Sequence, residues 1–188
     1  MIKKVFILLF VFSFISCGNK FTEKEKAEYT VKGKEIAQAT FKKLSGELMA
    51  QMKAGGPVKA IPFCNLEAVP LVDELSKEHN AIIKRTSDQL RSCDNEPTER
   101  ELVIINEYQE LLQAKQPIVP IVELDEEGKK HFYAPIRISA KCLVCHGEKG
   151  NTLANKTDSI VKSLYPNDLA IGYKDGDLRG IWSITFNE

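Results

Sequence analysis

The 188-residue sequence has no excess of either charge: Lys plus Arg and Asp plus Glu each number 26. That balance gives no reason to expect nucleic acid as a partner. It has no internal repeat and no low-complexity tract, which excludes solenoids and fibres. It has no apolar run near the roughly 20 residues that a membrane-spanning helix needs. It has only five cysteines, and only one closely spaced pair of them. A structural zinc site usually draws on two such pairs. Hydrophobic residues make up 43% of the chain, which excludes disorder as its dominant state. The length fits one domain with a real core.

The N-terminus carries the first positive signal. Lys3 and Lys4 precede an apolar run from Val5 to Ile15, the order of an export signal. The run ends Phe14-Ile15-Ser16-Cys17-Gly18-Asn19. A small residue before a Cys at this boundary resembles a bacterial lipobox, although Phe14 stands where Leu is usual. The resemblance implies a signal peptide over residues 1–16, and it makes Cys17 the lipidated first residue of an exported, periplasm-facing protein. More than one acyl chain gives a stable anchor. Gly18 replaces the Asp that retains some lipoproteins at an inner membrane, which favours an outer membrane. Export leaves Cys64, Cys93, Cys142 and Cys145 outside the reducing cytosol.

Thr22 and Glu25 form a capping box that opens a long N-terminal helix. Ile36, Phe41, Leu44, Leu48 and Met52 share one face, and Gly55-Gly56-Pro57 ends the helix. Its apolar face predicts that its second half packs on the domain, while the rest serves as a stalk. A turn or short helix around Cys64 follows, then a helix through Leu71, Leu75 and His79. Ile82-Ile83 reads as a short strand. Pro97 is placed in the first turn of a helix through Leu102, Ile105, Tyr108 and Leu112. Residues 118–124 and 130–138 read as a hairpin around Asp125-Glu126-Glu127-Gly128. Residues 158–164 suggest a helical turn, and Gly180 to Phe186 a last strand. Helices first and strands later predict an α+β fold with an antiparallel sheet.

Lys141-Cys142-Leu143-Val144-Cys145-His146-Gly147 contains C-x-x-C-H. Two thiols one helical turn apart can meet the two vinyl groups of haem and form thioethers. The adjacent His can then reach the iron from one side. In an exported protein this motif points to one covalent haem c on Cys142 and Cys145, with His146 as axial ligand. Zinc would require further ligands, such as Cys64 or Cys93. A thioredoxin-like motif would open a βαβ helix. A Cys142–Cys145 disulfide would be strained.

The residues alone leave the second axial ligand open among His79, His131, Met49, Met52, Cys64 and Cys93. Met49 and Met52 read as core residues and His131 as a solvated strand residue. Arg85, Arg91 and Arg179 are candidate partners of haem propionates, because guanidinium matches carboxylate bidentately.

Several segments, in order, resemble the Tll0287-like family. They are Ala60-Ile61-Pro62-Phe63-Cys64-Asn65, Arg85-Thr86-Ser87 with Leu90-Arg91, and Tyr133-Ala134-Pro135-Ile136 leading into the haem motif. The last is Tyr165-Pro166-Asn167-Asp168-Leu169-Ala170, with Gly172-Tyr173 and Gly176-Asp177-Leu178-Arg179-Gly180. The resemblance implies a PAS-like α+β fold, with flanking helices and one haem c. It also implies iron held by His146 and the Cys64 thiolate, which would favour ferric iron and lower the potential. The chain then divides into a signal peptide (1–16), a lipid-anchored N-terminal helix (17–56) and a PAS-like haem c domain (57–188). The sequence departs from the family at Ser92-Cys93, where Asn-Pro is usual. Cys93 is thus an extra thiol, a competitor for iron or a disulfide partner for Cys64.

Two functions fit these features. One is electron transfer at the membrane surface. The other is a haem-based redox or gas sensor that signals through a partner protein. In either case the partner is an unidentified redox or signalling protein. An enzyme such as a peroxidase needs an open iron position, which a Cys64 ligand would close, so the chain is read as a non-enzyme.

Overall fold

The structure is a computed structural model and describes residues 21–187. The signal peptide and Cys17 lie outside the described residues. The architecture is α+β, as expected: a four-stranded antiparallel sheet with helices on both faces.

Helix α1 runs Glu23–Gly55 and starts at the expected capping box. The Thr22 hydroxyl accepts from the Glu25 amide (3.2 Å), and the Glu25 carboxylate accepts from the Thr22 amide (2.8 Å). Its buried residues are Tyr29, Gly33, Ile36, Ala37 and Thr40, a single stripe at helical spacing. The first half therefore packs on the domain, contrary to the expectation for the second half. Phe41 lies off the stripe and is exposed, as is Met49. Gly33 explains the close seat of the helix: a Cβ there would stand 2.2 Å from the Phe132 ring of the sheet.

Helix α2, Pro57–Glu78, is one continuous helix where two pieces were expected. Pro57 sits in its first turn, while Pro62 and Pro70 lie inside it. An internal Pro removes one hydrogen bond and disfavours the helix locally. Burial of Ala60, Ile61, Val72 and Leu75 along one face overrides that preference. Strand β1, Ala81–Thr86, follows. A 3₁₀ turn, Cys93–Asn95, leads to α3, Glu99–Gln113. Thr98 caps α3 with Glu101, so Pro97 precedes the helix rather than entering it. The hairpin is β2, Ile121–Leu124, with β3, Lys130–Arg137. A 3₁₀ turn (Ala140–Cys142), α4 (Leu143–His146), α5 (Asn155–Leu164) and β4 (Leu178–Phe186) complete the chain.

The strand order is β1-β4-β3-β2, so the last strand occupies a central place. Its alternation builds both cores. Trp182, Ile184 and Phe186 face α1 and α2, with Tyr29, Ile36, Ala37, Val72, Leu75, Ile83 and Phe132. Ile181 faces α3, with Ile104, Ile105, Tyr108 and Tyr133. Tyr108 Oη lies 3.1 Å from the carbonyls of Val119 and Tyr133, which ties α3 to the hairpin.

One irregularity matters for the site. Ile136 pairs with Gly180 and Arg137 with Leu178, so the ladder steps past Arg179. The bulge re-aims that side chain. Gly180 has φ 153°, and a Cβ there would stand 2.1 Å from the Thr86 carbonyl oxygen. Only glycine lets β1 close on β4 at this point.

Candidate haem site

Cys142, the first residue of the motif, lies five residues beyond the end of β3. Cys142 closes the 3₁₀ turn, with its amide bonded to the Ser139 carbonyl at 2.8 Å. Cys145 and His146 lie on α4. Both thiols are partly buried and free, as is Cys64, while Cys93 is free and exposed. Neither the Cys142–Cys145 disulfide nor a Cys64–Cys93 pair is formed.

His146 is held by its Nδ1, 2.7 Å from the Ala170 carbonyl oxygen. That carbonyl can only accept, so Nδ1 carries the proton and Nε2 keeps a free lone pair. The Tyr173 ring meets the imidazole edge-on, with centroids 6.3 Å apart. Burial, then the positive charges of Arg91 and Arg179, holds the His146 pKa well below its ordinary value. The ring is therefore neutral at neutral pH, the form that binds metal.

Cys64, on α2, is brought to this group across 78 residues of sequence separation from Cys142. It interacts electrostatically with Cys145, and Arg91 acts on both thiols. Burial pushes the Cys64 thiol up; Arg85 and Arg91 pull it down. Burial likewise raises the Cys145 thiol, opposed by Arg91. Tyr165 closes the same region through Asn65 and feels Cys64, Arg91 and Arg85.

Arg85 leaves β1 and Arg179 leaves the β4 bulge. Burial, and the charge of Arg179, lowers the pKa of Arg85; burial, and the charge of Arg91, lowers that of Arg179. Among the described residues neither has a carboxylate within ion-pair distance. Arg179 donates to the Gln89 carbonyl at 3.1 Å and lies over the Tyr173 ring. Tyr173 Oη is buried without a hydrogen-bond partner, beside Ser87 and Arg179. Half-buried guanidiniums with no carboxylate in ion-pair distance, next to a buried hydroxyl without a hydrogen-bond partner, suit an anionic group. A neutral imidazole with a free Nε2 and two thiols one turn apart stand beside them. These residues fit a haem with two propionates.

Arg91 differs from the other two. It binds both carboxylate oxygens of Asp168 at 3.1 Å, the Cys145 carbonyl at 2.6 Å and the Ala170 carbonyl at 3.3 Å. The bonds of its Nε and Nη2 are thus made within the protein.

Two of the remaining ligand candidates, His131 and His79, lie elsewhere. His131 uses both ring nitrogens, at 2.9 Å from Asp125 and 3.0 Å from Thr185. His79 caps the far end of α2, 15 residues after Cys64, or about 22 Å along the helix. It lines a cavity of about 330 Å³ with Tyr29, Lys32 and Phe186, at the opposite end of the sheet. Cys93 is exposed, and Met52 lies in the last turns of α1. Among the described residues no three His, Cys, Asp or Glu side chains are grouped to hold a bare metal ion. The residues missed from sequence are Asp168 as the partner of Arg91, the Ala170 carbonyl and the Tyr173 hydroxyl. Asp168 and Tyr173 stand in segments that carried the family resemblance, which was the one available signal.

The Tll0287-like family model matches residues 19–187, so the chain belongs to the Tll0287-like family. Among solved structures, the fold is similar to that of the cyanobacterial heme-protein Tll0287, with a TM-score of 0.62 at 20% identity. The match covers 89% of this chain and 97% of that one. No curated protein matches the chain.

Proposed function

We propose that the chain binds one haem c through Cys142 and Cys145, with His146 and Cys64 as axial ligands. In this reading it is an exported lipoprotein, anchored at Cys17, that transfers electrons to or from a protein partner at the membrane surface. The observation that carries the reading is the convergence of Cys64, Cys145, His146 and two arginines with no carboxylate in ion-pair distance at one end of the sheet. Family membership and a heme-protein of the same fold support it.

Haem supplies a one-electron couple. The protein's part is to orient and insulate. Ala170 fixes the tautomer and aim of His146. Arg85 and Arg91 lower the cost of the Cys64 thiolate. Arg85, Arg179 and Tyr173 take the propionates. Held by His146 and Cys64, haem would have no position left for substrate, which favours a carrier over an enzyme.

The test is the visible spectrum of protein made in a host with c-type haem maturation, before and after acid-acetone extraction. Haem that stays with the wild-type chain, and is lost on Cys142→Ala plus Cys145→Ala, supports the reading. Colourless protein with bound zinc refutes it. Ready binding of CO to the ferrous form refutes the filled sixth position and returns the sensor reading.

A further inference from the structure

The four bonds of Arg91 converge on the groups that hold His146. The same Ala170 carbonyl accepts from His146 Nδ1 at 2.7 Å and from Arg91 Nη2 at 3.3 Å. Asp168 Oδ1 accepts from the Ala170 amide at 3.0 Å and from Arg91 Nε at 3.1 Å. The guanidinium also holds the Cys145 carbonyl, one residue before His146. The pair is shielded, with side-chain exposures of 15% for Arg91 and 2% for Asp168. The Leu169 amide bonds to the Leu90 carbonyl at 2.8 Å, so the two backbone segments are also joined directly.

We propose that the Arg91–Asp168 pair is a positioning device for His146 that also sets the charge felt at the iron, an inference that rests on the haem reading above. The hydrogen bond from Nδ1 governs how strongly an imidazole donates through Nε2. Arg91 draws on the accepting carbonyl and so limits that donation. Its positive charge favours the reduced form, and the Asp168 carboxylate offsets it. Two opposed charges held near one ligand give opposite effects when removed singly. A merely structural clamp, loosened from either side, gives the same effect twice.

The test compares Asp168→Asn and Arg91→Met in the full haem-loaded chain by potentiometric titration, with circular dichroism as the check on folding. Asp168→Asn leaves a bare guanidinium, and the ferrous to ferric ratio at a fixed poise should rise roughly tenfold. Arg91→Met leaves a bare carboxylate, and the ratio should fall by a similar factor. Arg91→Lys and Asp168→Glu keep both charges and should return the ratio towards wild type. Shifts of the same sign, no shifts, or loss of folded haem protein in all four variants overturn the proposal. If the wild-type chain carries no haem, it is the haem reading that fails, and no potential is measured.

Discussion

Substituting Gly33 with Ala separates two views of α1. As a stalk, the helix gains from the change, because Ala exceeds Gly in helix propensity by about 1 kcal/mol. As a packed element, it loses. The new Cβ would stand 2.2, 2.3 and 2.7 Å from ring carbons of Phe132. Ordinary carbon contacts lie at about 3.5–4.0 Å, so roughly 1.5 Å of separation must be found. Phe132 cannot supply it. It is fully buried, pairs with Ile184 on one side and Val122 on the other, and has no route to solvent. The helix must lift, and Tyr29, Ile36 and Ala37 lift with it.

Overpacking of this kind costs about 1–3 kcal/mol, and can cost more where the neighbour is rigid. After the propensity gain, the expected net loss is up to about 2 kcal/mol, read as a lower midpoint in urea at unchanged slope. Phe132→Leu in the Gly33→Ala background should recover part of that loss, with a coupling of at least about 1 kcal/mol across the cycle. A stabilised Gly33→Ala protein, or additive substitutions, would refute the seating of α1 on the sheet.

Other outcomes follow from the site. Cys64→Ser should change the ferric spectrum and raise the midpoint potential; an unchanged spectrum removes Cys64 as ligand. In haem-free protein, His146 has its pKa lowered by burial first and by Arg91 and Arg179 next. The unfolded chain then takes up the proton first. Stability should fall as pH drops below about 6.5, by at most about 1.4 kcal/mol per pH unit. Urea midpoints at pH 7 and 5 measure this fall, and His146→Gln should flatten it. Cys17→Ala should shift the protein from the membrane to the soluble fraction; retention at the membrane would favour an uncleaved signal over a lipid anchor.

The legible parts of the fold are those with local causes. The Thr22–Glu25 box, the Asp125–Gly128 turn and the alternation of Ile181 to Phe186 each act over a few residues, and each stands where sequence places it. The misread parts are those where distant packing wins. Pro62 argues locally for a break near Cys64, yet Ala60, Ile61, Val72 and Leu75 bury one continuous face. On α1, periodicity alone marked the stripe from Ile36 to Met52. The choice of buried half depended on Gly33, whose missing side chain registers as nothing on a hydrophobic pattern. In the site, C-x-x-C-H is local and was plain. Pairing Arg91 with Asp168 needs a contact across 77 residues, and no spacing rule reports it.

The strand ladder links core to site. Arg85 pairs with Trp182 across β1 and β4, and Thr86 with Ile181, so the end of β1 is fixed against the start of β4. A slip of one residue would turn Trp182, Ile184 and Phe186 from the α1–α2 core towards α3, a loss no register can sustain. The apolar alternation of β4 therefore sets where Arg85 ends up, although Arg85 contributes nothing to that core. The bulge at Arg179 works within the same constraint. It absorbs one residue at the strand's start, so the core register holds while the guanidinium swings beside Arg85. Two like charges are thus held close together by hydrophobic packing elsewhere. Placing them so costs free energy, and an anionic ligand between them would offset it.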